Sequence, residues 1–72
     1  MVDTYEVNIF FINGEYTSIK NLSEKESNYI MYSLKDALEK NARLIYFKDQ
    51  DILIKRDVVD ILVVRRWRES SQ

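Results

Sequence analysis

Ile9-Phe10-Phe11-Ile12, followed at once by Asn13-Gly14, is the stretch on which the reading of the fold depends. Successive side chains of a strand point to opposite sides, so an unbroken apolar run means that both sides leave water. Asn-Gly between apolar runs is a strong hairpin signal, because both residues tolerate the positive φ of a type I′ turn. The spacing therefore predicts a strand over residues 6–12, a tight reversal at Asn13-Gly14, and a return strand over residues 15–20. The return strand is the more polar of the two, as expected of a sheet edge.

Outward from this hairpin, three further runs share its character: Leu44-Ile45-Tyr46-Phe47, Ile52-Leu53-Ile54 and Ile61-Leu62-Val63-Val64. They predict strands over residues 43–48, 52–55 and 61–67, joined by a turn at Asp49-Gln50-Asp51 and by a single 3₁₀ turn over residues 56–60. Only one helix is available to cover them. Ser23-Glu24-Lys25-Glu26 is a capping box, in which Ser23 accepts an orphan backbone N–H and Glu26 reaches back to the cap. On a 3.6-residue period Ser27, Ile30, Met31, Leu34, Ala37 and Leu38 form the stripe that should lie on the sheet. Asn41 is the residue suited to the left-handed position that closes the helix, since no glycine is nearby.

The resulting order, β-β-α-β-β(-β), defines an α+β protein: an antiparallel sheet with one helix packed on one face. One helix covers one side only. The other side must be buried by a second copy, which makes a homodimer the expectation, or by closure of the sheet into a small SH3-like barrel with an inserted helix. The chain of 72 residues is read as a single domain, 1–72, with a frayed tail over about 69–72. A domain this short buries only roughly 60 % of the surface its unfolded chain exposes. It carries neither cysteine nor histidine, so disulfides and thiolate or imidazole metal sites are excluded and oligomerisation is the remaining source of extra stability.

Composition also narrows function. The start of the chain has two acids and no base before its first apolar run, unlike an export signal, and no apolar run approaches the ~20 residues of a membrane span. A cytoplasmic protein with no membrane partner is expected. Without histidine or cysteine, the general acids, bases and nucleophiles left are carboxylates, lysines, tyrosines and serines. One glycine cannot build a phosphate-cradling loop. No catalytic residue, cofactor or small-molecule substrate is expected. Asp49-Gln50-Asp51 lacks the further ligands of a calcium loop and reads as a turn in which Asp side chains bond their own backbone, so no metal is expected.

Two segments stand out as surfaces. Arg65-Arg66-Trp67-Arg68, with Lys55-Arg56 one strand earlier, could pair with phosphates while the indole stacks on a base. The competing reading docks Trp67 on the rim of the core and uses the arginines to protect a sheet edge. The net charge of −1 favours the latter. Residues 1–42 carry four basic and seven acidic side chains, and residues 43–72 seven basic and five acidic. The second surface is the outward face of the helix, where Tyr29 and Tyr32 are candidate partner contacts, tyrosine being enriched in interfaces.

Phe10-Phe11-Ile12-Asn13-Gly14-Glu15-Tyr16, the helix start Leu22-Ser23-Glu24-Lys25-Glu26 and Ile52-Leu53-Ile54…Val58-Val59-Asp60-Ile61 resemble small uncharacterised proteins encoded by prophages of Bacillus and related bacteria. The likeness runs from about Val7 to Val64. It implies a cytoplasmic, phage-derived protein of unknown function, often oligomeric, and carries over no catalytic or binding residue. A small homo-oligomeric interaction module is thus the expected function, with a nucleic-acid-binding regulator as the alternative.

Overall fold

A computed structural model describes residues 3–69. Its elements follow the expected order: β1 (Thr4–Phe11), β2 (Tyr16–Leu22), α1 (Glu24–Glu39), β3 (Leu44–Phe47), β4 (Ile52–Lys55) and β5 (Ile61–Glu69). All neighbours pair antiparallel, but the strands divide between two sheets. β2-β1-β5 form one, with β1 in the centre, and β3-β4 form a separate hairpin. No barrel closes. Glu69 belongs to β5, where it pairs with Thr4, and is not frayed; the rest of the expected tail, residues 70–72, lies outside the described residues.

Through the one face that carries the buried Ser27, Ile30 and Leu34, α1 packs on β1, β2 and β5 and also on β3. Val7, Ile9 and Phe11 from β1, Ile19 and Leu22 from β2, Ile30 and Leu34 from α1, and Ile45, Phe47 and Ile54 from the hairpin form one buried core. The helix stripe lies where its periodicity puts it, with Ser27 also buried and Met31 and Ala37 partly so. Leu38, in the last turn, is exposed instead.

Backbone chemistry explains the ends of these elements. Ser23 Oγ accepts the Glu26 N–H at 3.1 Å, and Glu26 Oε1 accepts the Ser23 N–H at 2.9 Å, completing the capping box. The Ser23 backbone N–H, and after it the Ser23 side chain, holds the Glu26 carboxyl below its ordinary range. Ser23→Ala should cost about 1 kcal/mol, read as a lower denaturation midpoint with the oligomer unchanged. At the far end Asn41 takes φ +56°, with Asn41 N–H donating to Leu38 O at 3.2 Å and Ala42 N–H to Ala37 O at 2.8 Å. Those two bonds make a Schellman close with asparagine in glycine's place.

The first hairpin differs from the expected two-residue turn. Its loop has three residues: Gly14 N–H donates to Phe11 O at 3.1 Å, Phe11 N–H to Glu15 O at 2.9 Å, and Asn13 Oδ1 accepts the Glu15 N–H at 3.0 Å. Gly14 alone takes a positive φ, +91°, so Asn13 escapes the left-handed conformation that a type I′ turn would impose on it. The Asp49-Gln50-Asp51 turn closes with Asp51 N–H on Lys48 O and Asp51 at φ +54°. Residues 56–60 form an irregular turn in which the Val58 and Val59 N–H groups both return to Lys55 O.

Candidate interaction face

Strand registers fix what lies on each side of the larger sheet. On the helix side Val7, Ile9 and Phe11 sit beside Ile19 of β2 and Val64 and Ile61 of β5. A bulge in β2, with Asn21 at φ +60°, lets Leu22 join Ile19 on that side. Among the described residues no element covers the opposite, outer side. Phe10 lies there between Tyr16 and Val63, Asn8 between Ser18 and Arg65, and Glu6 opposite Trp67, with Thr4 and Glu69 beyond. Alternation along β2 adds Lys20 beside Glu6. A second bulge, at the pairing of Phe10 and Phe11, makes Leu62 an extra residue of β5.

The outer side is therefore graded. Its hairpin end is apolar, with Ile12 64 % exposed, Tyr16 64 %, Leu62 68 % and Val63 37 %, and with the Phe10 and Tyr16 rings 5.8 Å apart. A polar row crosses the middle, where Ser18 Oγ donates to Asn8 Oδ1 at 2.5 Å and Asn8 is buried. At the far end Trp67, 51 % exposed, stands among Glu6, Glu69 and Lys20. Glu6 and Glu69 are neighbouring carboxyl groups, and their interaction holds Glu6 below its ordinary range and raises Glu69; the Lys20 ammonium favours the ionised form of both. The polar tip of Glu6 is recessed, and its residue is buried.

The six basic and aromatic residues singled out in the sequence do not form one surface. Arg65 and Trp67 lie on the outer face. Arg66 points to the helix side, where it donates to Asn28 Oδ1 and sits 5.0 Å from the centre of the Tyr5 ring. Arg68 faces Asp3 at 3.9 Å. Arg56 is buried: Nε donates to Asp60 Oδ1 at 2.8 Å and Nη1 to Ala42 O at 2.6 Å, tying the turn before β5 to the end of α1. Asp60 Oδ1 also takes the Ile61 N–H, and these two donors, Arg56 first, hold its carboxyl below its ordinary range. Lys55 is on the separate hairpin, opposite Leu44.

Tyr29 and Tyr32 are both exposed but part company. Tyr29 borders a cleft of about 450 Å³ between the first turns of α1 and the Tyr46 to Gln50 end of the hairpin, floored by the buried Ile30 and Phe47. Tyr32 stands with Lys35, Asp36 and Glu39 beside a shallower hollow. Among the described residues no group of three or more Asp, Glu, His or Cys side chains could hold a metal ion, and no helix is long and apolar enough to cross a membrane. Phe10, Tyr16, Leu62 and Val63 belong to the open face without having been marked as site residues; their signal was the two-sided apolarity of the runs beside them. Comparison with protein-family models, with curated proteins and with solved structures finds no match.

Proposed function

We propose that the protein is a small non-enzymatic interaction module that assembles with copies of itself through the outer face of the β2-β1-β5 sheet. In this reading it is a cytoplasmic accessory protein of phage type. The observation that carries the proposal is the exposure of Ile12, Tyr16, Leu62 and Val63 around Phe10, and of Trp67 at the far end, on a face that the helix does not reach. With ~200 Å² for a whole large side chain, their exposed fractions amount to roughly 550 Å². A standard interface takes about 800 Å² from each partner. Phe10 at the centre and Ser18, Lys20 and Arg65 around it stand at hand to supply the rest.

Single-stranded nucleic acid is the second reading, because the same face offers Tyr16, Phe10 and Trp67 for stacking with Arg65 and Lys20 nearby. Its weakness is electrostatic. Two carboxyl groups, Glu6 and Glu69, flank the tryptophan, while Arg56, Arg66 and Arg68 are engaged elsewhere. Sedimentation at micromolar concentration should give a dimer or larger species, and Leu62→Asp should convert it to a folded monomer. A wild-type monomer, or a variant that associates as before, would remove the sheet face as the interface.

A further inference from the structure

The distribution of charge over the outer face constrains how two copies can meet on it. Edge-to-edge addition through β5 is discouraged by Arg65, Arg66 and Arg68 along that strand, and addition through β2 by Lys20 and the bulge at Asn21. Face-to-face packing remains, with the sheets ~10 Å apart and their strands nearly aligned. A two-fold axis between the sheets can run across the strands or along them. An axis across them, centred on the Asn8 row, lays β5 over β5. That places Arg65 against its own copy and the Glu69 carboxyl over the apolar end at Leu62 and Ile12, both unfavourable.

An axis along the strands has neither fault. It lays β2 of one copy over β5 of the other and keeps each row over its like. Tyr16 then meets Val63 and Leu62 of the second copy, Phe10 meets Phe10, and Ser18 meets Arg65. Glu6, the one acid placed near the axis, is recessed. At the polar end the ammonium of Lys20 comes over Trp67 and Glu69, where cation–π and ion-pair attraction act together.

Resting on the proposal that this face self-associates, we infer that two copies pack sheet to sheet about a two-fold axis parallel to the strands, with Lys20 of each against the partner's Glu69. The arrangement is isologous, so each contact occurs twice.

Mixing charge-reversed chains tests it. In a homodimer of Lys20→Glu two acids face each other at both symmetry-related contacts, and in a homodimer of Glu69→Lys two cations do. Only the mixed dimer restores attraction at both. Both side chains are exposed, and although Lys20→Glu sets a third acid beside Glu6 and Glu69 within one chain, far-ultraviolet circular dichroism verifies that each variant is folded. By sedimentation each variant alone should associate at least about tenfold more weakly than wild type, and an equimolar mixture should regain the dimer, as a heterodimer by native mass spectrometry. Interactions within one chain cannot give this rescue, since mixing leaves them unchanged. Variants that dimerise like wild type, or a mixture no stronger than its components, would overturn the arrangement. If Leu62→Asp still yields a monomer in that case, the self-associating face stands and only the geometry falls. A monomeric wild type would remove both.

Discussion

Shortening Ile30 to alanine should destabilise the protein by about 3–4 kcal/mol, because a buried aliphatic side chain is lost and the cavity it leaves can close only in part. Ile30 is 1 % exposed and sits on the helix that packs on both sheets, where it also floors the cleft beside Phe47. Whole-domain stability at this length is roughly 4 to 11 kcal/mol. The substitution therefore removes a large part of it, and urea denaturation followed by circular dichroism should show a midpoint shifted far down with little change in slope. A midpoint within error of wild type would mean that α1 does not bury Ile30 against the sheets.

Arg56→Ala should follow at about 2–3 kcal/mol, since it strips a hydrogen bond from the Ala42 carbonyl and one from the Asp60 carboxylate and empties a buried position. Its signature is the pH dependence. The folded state holds Asp60 below the ordinary carboxylate range, chiefly through Arg56, so the contribution is fully present above the unfolded value and lost as pH falls through the folded one. Glu26 and Glu6 act in the same direction, and Glu69, raised by Glu6, acts in the opposite one. Wild type should therefore lose stability below about pH 4, and the variant, already weakened at neutrality, should lose less on acidification. Parallel acid limbs for the two proteins would show that Arg56 does not hold Asp60.

Neither effect can be read from residue type alone. Arg56 looks in the sequence like the partner of Lys55 in a basic surface, and nothing local says that its guanidinium turns inward to a helix end. Alternation separates Arg65 from Arg66 by one position, which is enough to send them to opposite faces of β5; that much was legible once the strand was placed. The capping box and the asparagine close of the helix followed from local rules because local hydrogen bonding decides them, and the edge position of β2 followed from its polarity. The type of the first turn did not, since Asn-Gly suits both a two-residue loop and a glycine bulge. Division into two sheets was also hidden. Short strands with apolar runs fit one sheet or two, and the choice depends on α1 packing against both at once.

The pairing of β1 with β5 has a consequence for how the chain is made. Thr4 meets Glu69 and Phe11 meets Ile61, so the central strand of the larger sheet is completed by residues synthesised long after it. As the polypeptide emerges, β1 and β2 can form their hairpin and α1 can settle on it, but one edge of β1 stays open until Ile61–Glu69 has left the ribosome. During that interval the nascent chain presents an unpaired strand beside exposed apolar side chains, the combination most open to capture by another unfinished copy. The arginines of β5 close that window when they arrive, and a chain cut short before Ile61 would never close it.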